Sequence, residues 1–295
     1  MAGKIQIPDQ LKSDLPPTKW GKVLGATPII MTVIATMLAG LASSEMTRAQ
    51  YDRALAAQLQ SKAGDQWSYF QAKKLRSAVA HNSLEMLAAL SEVHPLDSAA
   101  LPGADAATIA ALTKNELPPA PPAKFDDNVA TAVAALASSA PETEVSADLA
   151  RIKPVELATA LNAAKQAALD FDNAIRTINQ ISDRLDDTMM NGDQKTFRNF
   201  CAAHLRYSAS RYDTESRLNQ TIAIIYELQV RQNNISAEQH HRRSGKFFFG
   251  MLAAQFAVIV STFAIAARKK SLLWSLAAAA GMAAVSFSVY VFLRV

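Results

Sequence analysis

Few polar side chains in the sequence could take part in catalysis or metal binding, and their spacing does not suit a catalytic or metal-binding site. His240 and His241 are adjacent, Glu238 lies nearby, and the other three histidines are scattered along the chain. A zinc site would call for spacings such as His-Glu-x-x-His or Cys-x-x-Cys, and neither occurs. Because Arg242 and Arg243 follow directly, we interpret the histidine pair as a polar collar beside an apolar segment and predict no metal site.

An acidic cluster and one cysteine are the remaining candidates. Asp183, Asp186 and Asp187 precede Asp193 and could bind a cation weakly, although a solvated helix face explains them more simply. Cys201, the only cysteine, cannot form an intrachain disulfide and is interpreted as a packing residue. A phosphate-binding glycine loop and a Gly-x-Ser-x-Gly elbow are both missing. The sequence therefore predicts a protein that is not an enzyme and has no cofactor.

The composition predicts an all-α fold. Hydrophobic residues make up 50% of the 295 residues but aromatic residues only 7%, since much of the apolar content is alanine. Alanine has the highest helix propensity because it loses no side-chain entropy. The net charge is +4, and the lysines and arginines cluster beside apolar segments. That placement favours a lipid bilayer, and not nucleic acid, as the partner.

Three segments are apolar and long enough to cross a membrane, namely residues 23–42, 247–267 and 271–293. Basic and tryptophan residues border them, as is typical of membrane interfaces. These candidate anchors are Lys19, Trp20, Lys22, Arg242, Arg243, Lys246, Arg268, Lys269, Lys270 and Trp274. The sequence therefore predicts three transmembrane helices, one N-terminal and two forming a C-terminal hairpin.

Three spans place the polar tail, residues 1–22, on the same side as the Arg268–Lys270 turn. The positive charges on the two sides nearly balance, so the positive-inside rule decides weakly. Because the first span usually dominates, we expect the tail in the cytoplasm of a bacterial inner membrane. The helical region between the spans is then periplasmic.

The region between the spans divides into three parts. Residues 43–93 form a predicted long amphipathic helix, and residues 94–153 a Pro/Ala-rich linker with short helices near 104–113 and 127–137. Residues 154–246 form a predicted antiparallel helical hairpin or coiled coil, with a turn at Asn191-Gly192-Asp193. Apolar and small residues of the first helix, taken as one stripe, are Leu55, Leu59, Ala63, Trp67, Phe70, Leu75, Val79, Leu84, Leu87 and Leu90.

The first helix of this predicted hairpin carries the most regular pattern in the chain. Its apolar positions alternate by three and four residues over four heptads, with one polar member, as in a coiled coil. They are Leu161, Ala164, Ala168, Phe171, Ile175, Ile178, Ser182, Leu185 and Met189.

Two stretches resemble a known family. Gly64–Lys73 reads Gly-Asp-Gln-Trp-Ser-Tyr-Phe-Gln-Ala-Lys, and the C-terminal segment carries Phe248, Gln255 and Arg268–Trp274. Both are similar to the signatures of the DUF4337 family of uncharacterised bacterial membrane proteins, as is the order of one span, a helical middle and a two-span hairpin. The resemblance implies an architecture but no activity and no functional residue. The Pro/Ala-rich linker departs from the family pattern.

The first of these stretches also holds the sharpest local feature. Trp67 and Phe70 share a helix face, and Gln66 and Tyr69 flank them with donors and acceptors. We interpret the four residues either as a packing layer or as a contact with a partner or another subunit, where Trp and Tyr are common. Within the spans, Gln255 and Gly281 are candidate helix contacts, through an interhelical hydrogen bond and a close approach respectively.

These features leave three functional hypotheses. The first is a membrane-anchored coiled-coil protein that self-associates into a homo-oligomer or scaffolds a larger membrane complex. The second is a component of an oligomeric channel or transporter, although no predicted span carries an internal charge. The third is a membrane-anchored sensor, ranked last because no output domain is visible in the sequence.

Overall fold

The computed structural model describes residues 19–190 and 192–266, together with 279, 281–283, 285–286 and 289–290. All secondary structure in these residues is helical, which confirms the all-α fold class. A short 3-10 helix, Ser98–Ala100, lies between the first two α-helices. The α-helices are α1 (Lys19–Leu90), α2 (Ala106–Lys114), α3 (Asp127–Ala137), α4 (Glu142–Leu149), α5 (Pro154–Met189) and α6 (Gln194–Ala266).

Two of these helices, not three, contain segments long and apolar enough to cross a membrane. They are Gly25–Leu90 within α1 and Gln194–Phe263 within α6. The predicted third span, 271–293, lies mostly outside the described residues, and those described there are helical. The three-span prediction is therefore supported only as two long apolar helices.

Both long helices join elements that the sequence analysis separated. The predicted boundaries at residue 43 and near residue 246 fall inside α1 and α6. Hydropathy changes at these points, but no proline or turn interrupts the backbone. Thr47 Oγ1 donates to Ser43 O at 2.9 Å within α1, an ordinary bond of an unbroken helix. A change of hydropathy along a helix does not by itself end the helix.

The chain forms two compact units. The first contains Met1–Ala54 and Asn233–Val295, and the second contains Leu55–Gln232. The helices α1 and α6 contribute to both, whereas α2 to α5 belong to the second unit alone.

The second unit has a conventional water-excluding core in two clusters. One joins α1, α3, α4, α5 and α6 around Val129, Val145, Leu157 and Ile225. The other joins the start of the linker, α2, α5 and α6 around Leu112. The buried positions of α5 are Leu157, Ala160, Leu161, Ala164, Ala167, Phe171, Ile175, Ile178, Ser182, Leu185 and Met189. The three-and-four spacing thus lies on the buried face, with Ala168 partly buried.

The linker is ordered by caps and carries one helix that was not predicted, α4. Asp105 accepts a hydrogen bond from Thr108 N at 2.8 Å at the start of α2, and Asp126 accepts one from Asn128 N at 3.0 Å at the start of α3. These bonds satisfy amides that a helix start leaves free. The α4 sequence is mostly polar, and Val145 and Leu149 are its two buried residues, so its hydropathy pattern is weak.

The first unit buries mainly small side chains. Leu38, Phe247 and Val260 are the larger members of a buried set composed otherwise of alanine, serine and glycine. Large apolar side chains lie on the outside of both helices instead. They are Ile29, Ile30, Val33, Met37, Leu41, Phe248, Phe249, Leu252, Phe256, Ile259 and Phe263. Such a surface is poorly suited to water.

Candidate partner-contact surface

The Gly64–Lys73 stretch lies on α1 in the second unit, and part of it faces inward. The Trp67 and Phe70 rings meet edge to face, with centroids 5.4 Å apart. Trp67 packs against the core cluster, and its Nε1 donates to Glu227 Oε1 at 2.7 Å. These two aromatic rings therefore serve packing within the chain, one of the two interpretations left open by the sequence.

Lys73, at the end of the same stretch, pairs with the buried carboxylate of Glu215. Arg211 Nε lies 3.5 Å from the other oxygen of Glu215, so two cations surround this carboxylate. Such a group costs much free energy to bury alone, and its partners offset that cost. The pKa of nearby Asp172 is raised, first by its own burial and then by the charge of Glu215.

A second polar group continues this arrangement along α6. Tyr207 OH and Arg211 both donate to Asn179 Oδ1, at 2.7 and 2.5 Å. The Arg211 guanidinium also lies 4.3 Å from the centroid of the Tyr212 ring. Burial raises the pKa of Tyr207 to about 12, so the phenol stays protonated and acts as a donor. These contacts fix the packing of α5 on α6 and resemble no catalytic arrangement.

The outer side of the stretch forms an open depression of about 480 Å³. We call the residues that line it the signature surface: Lys62, Asp65, Gln66, Ser68, Tyr69, Ala72 and Tyr226. Tyr69 is 58% exposed, whereas Gln66 Oε1 is buried and has no hydrogen-bond partner among the described residues. Of the four residues proposed as a contact, Gln66 and Tyr69 thus border an accessible surface, and Trp67 and Phe70 do not line it.

The other candidate residues belong to the first unit. Gln255 is exposed beside Thr32 and Thr36, at an open groove of about 450 Å³. Gly281 is buried, and a Cβ added there would lie 3.0 Å from Met31 Cε, so the glycine leaves room for the Met31 side chain of α1.

The proposed interface anchors are only partly described. Arg242 Nε donates to Glu238 Oε1 at 2.9 Å, and Lys246 Nζ lies 5.3 Å from the centroid of the Tyr290 ring. Arg243 is half-buried. Lys19, Trp20 and Lys22 lie at the start of α1. Arg268, Lys269, Lys270 and Trp274 lie outside the described residues.

One polar contact of the first unit gave no signal in the sequence. His240 Nδ1 lies 2.6 Å from Glu45 Oε2, across a separation of 195 residues. Both side chains are mostly buried. Next to it, Ser236 donates to Asp52 at 2.7 Å and Ser244 donates to Ala42 O at 2.7 Å. His240 therefore joins α6 to α1 through Glu45 and is not part of a solvent-exposed polar collar.

The described part of the chain gives little support for a metal site or for a reactive thiol. No group of three histidine, cysteine or acidic side chains there could hold a metal ion. The pKa of the Cys201 thiol is raised, mainly by burial, which makes it a poorer nucleophile at neutral pH.

Fold and surface together define a class: an all-helical protein with two long apolar helices and a second helical unit built on its own core. Residues 20–118 match the family model described as Domain of unknown function (DUF4337), and the match includes Gly64–Lys73, so the resemblance of that stretch is confirmed. The match does not reach the C-terminal segment that also resembles the family. No curated protein and no solved structure matches the chain.

Proposed function

We propose that the protein is a membrane-anchored scaffold, in which the apolar segments of the first unit lie in the bilayer and the second unit presents a helical surface to a protein partner. The observation that carries this proposal is the outward placement of large apolar side chains in the first unit. Soluble monomers rarely expose contiguous apolar patches above ~600 Å². Lipid chains solvate such a surface well, because they are as apolar as leucine.

The proposal includes the finer topology expected from the sequence. Residues 271–293 would form the third span, with the polar tail in the cytoplasm and the second unit in the periplasm of a bacterial cell. The segment is long enough to cross a bilayer, and Trp274 suits an interface position.

The partner side of the proposal rests on the signature surface. Tyr69 offers a large amphipathic ring at low entropic cost, and such residues are enriched where proteins meet. Lys62 and Asp65 border the depression with charges of both signs, as in a polar rim.

The test is a mass measurement of the particle extracted from native membranes in mild detergent, over a range of concentrations, with identification of co-purifying chains. We expect a particle heavier than one chain, and we expect Tyr69→Ala to reduce its mass or its partner content. Tyr51→Ala is the matched control, since Tyr51 lies on the same helix and is 68% exposed. A monomer without partner at every concentration would refute the scaffold.

A second candidate, a channel component, has one observation in its favour. Gln255 keeps its amide free of hydrogen bonds to the described residues and lies on the otherwise apolar outer surface of the first unit. Neighbouring Thr32 donates to its own helix, at Pro28 O. The channel hypothesis predicts ion flux in proteoliposomes that depends on the predicted third span and is lost in Gln255→Leu. Equal flux with and without that substitution would remove the support from Gln255.

A further inference from the structure

One face of α1 in the second unit carries apolar side chains that no described residue covers. We call it the outer stripe: Ala72, Leu75, Val79, Asn82, Met86 and Ala89, all exposed. Leu75, Val79 and Met86 are 66%, 55% and 63% exposed. The opposite face of the helix is already occupied, since buried Ser77 donates to Ala209 O at 3.0 Å. The outer stripe is therefore not needed for the packing of its own unit.

The positions of the outer stripe follow a heptad rule. They are separated alternately by three and four residues, so they stay on one side of the helix. This is the spacing of the core positions of a coiled coil, in which each side chain inserts between four residues of a facing helix. The face thus has the form that fits another helix with the same spacing.

We propose that the outer stripe is the seam of a parallel dimer, packed in register against the outer stripe of a second copy of this chain. The inference rests on the proposed function, because two copies anchored in one membrane by the same segments share one orientation. A two-fold axis then brings equal positions together. Asn82, at a d position of this pattern, then meets Asn82 of the second copy, where the two amides can hydrogen-bond to each other.

The exposed area fits an association confined to a membrane. The outer stripe and neighbouring Leu90 expose on the order of 500 Å² of apolar surface, within the ~300–600 Å² of the largest patches on monomers. A standard interface buries ~800 Å² per partner, so the seam alone is small for a dimer in dilute solution. Anchoring raises the effective concentration, and a weaker seam then suffices.

The residues beside the seam are compatible with this register. A parallel pairing sets Gln71 near Arg76 of the second copy and Glu85 near Leu90 of the second copy. No two like charges face each other at these flanking positions. Arg76 lies 5.8 Å from the Tyr212 ring of its own chain and needs no other partner.

Disulfide cross-linking of the full chain in membranes tests the seam. In a Cys201→Ser background, Leu75→Cys, Asn82→Cys and Glu85→Cys are each oxidised with copper phenanthroline. Facing seam positions lie within the Cα separation of about 4.4–6.8 Å that a disulfide spans. We expect Leu75→Cys and Asn82→Cys to form dimers at least tenfold faster than Glu85→Cys, because Glu85 flanks the seam, where the two copies of one position lie farther apart.

The outcomes separate the seam from the scaffold. Cross-linking that needs a mixture of Leu75→Cys and Leu90→Cys would overturn the parallel register. Slow cross-linking at every seam position in a particle heavier than one chain would refute the seam and leave the scaffold standing. A monomeric particle would refute both.

The double variant Val79→Asp, Met86→Asp should cut cross-linking at Asn82→Cys at least tenfold, whereas Leu169→Asp, elsewhere on the second unit, should not. Protection of seam cysteines from a water-soluble maleimide without cross-linking would show that lipid covers the stripe and overturn the proposal.

Discussion

The two units are built from the same alanine-rich helices, yet they place their large side chains in opposite ways. The second unit buries Phe171, Phe200 and Tyr207 and keeps most charges outside. The first buries alanine and serine at its helix contacts and exposes Phe249, Phe256 and Ile259 on its outer face. Composition alone would not separate the two units. The position of each side chain around its helix does, because it shows which solvent the helix is suited to.

The difference extends to the contacts that hold helices together. In the second unit, aromatic and aliphatic packing drives association, because water is excluded. In the first unit, small residues let helices approach, and hydroxyl groups such as that of Ser244 bond to the neighbouring backbone. That is the pattern expected where lipid supplies no hydrophobic force between helices.

The largest effect should come from emptying the core of the second unit. Phe171→Ala removes a fully buried ring from α5 and should cost about 3–5 kcal/mol of its unfolding free energy. Leu169→Ala, two residues away and exposed, should stay within ~0.5 kcal/mol of the parent. Denaturant unfolding followed by far-UV circular dichroism measures both. Similar losses of unfolding free energy for the two variants would contradict the burial of Phe171 in the core.

Next in size is a charge on the outer face of the first unit. Phe256→Asp should cost about 2.5–3.5 kcal/mol of insertion free energy if this face meets lipid. The protein remaining in carbonate-washed membranes should fall accordingly. Phe256→Leu keeps the face apolar and should leave the membrane fraction unchanged. A variant that stays inserted like the parent would show that the face meets water or protein.

A smaller effect is expected at the inward side of the Gly64–Lys73 stretch. Trp67→Phe and Glu227→Leu each remove the 2.7 Å hydrogen bond and should each cost about 1.5–3 kcal/mol. The double variant should lose less than the sum, since both changes remove one interaction. Ser68→Ala is the control, because that hydroxyl bonds only to Gly64 O of its own helix. Strict additivity in thermal unfolding would mean that the bond contributes nothing.

The smallest effect concerns a charge pair at the surface of the second unit. The hydrogen bond from Lys74, and then the charge of Arg217, hold the pKa of Asp213 below its ordinary value. Its stabilisation is therefore present above the unfolded pKa of about 3.9 and is lost as pH falls through the lower, folded value. Asp213→Asn should cost less than ~1 kcal/mol at pH 7.

The sign of that effect is checked by repeating the unfolding measurement in acid and in high salt. The gap between the parent and Asp213→Asn should close under both conditions, because protonation and screening each remove the attraction. A gap that widens as the pH falls would assign the loss to packing instead.

Local patterns were enough for the all-helical class and for the buried face of α5. The spacing from Leu161 to Met189 needs no knowledge of distant residues, because one turn of helix sets it. The same method failed on α1, where Leu75, Val79 and Leu90 were placed in one stripe with Leu59 and Trp67. The structure turns the first three outward, and spacings of five residues across that stretch hide the change of face.

Long-range pairs were beyond the reach of the sequence. Trp67 and Glu227 are 160 residues apart, and His240 and Glu45 are 195 apart. Their meeting depends on how α1 and α6 pack, which no single segment encodes. The Gly64–Lys73 stretch was recognised as a unit, but its division into an inner, packing side and an outer, accessible side required the fold.

The environment of Trp67 also allows the second unit to be followed by tryptophan fluorescence. Trp67 is the tryptophan of Leu55–Gln232, since Trp20 and Trp274 lie in the first unit, in or beside the segments that we propose to cross the membrane. Its half-buried indole, bound to a carboxylate, should change emission wavelength when this unit opens. Quenching of fluorescence by acrylamide in water and by brominated lipid in the bilayer would then follow the two units separately in one intact chain.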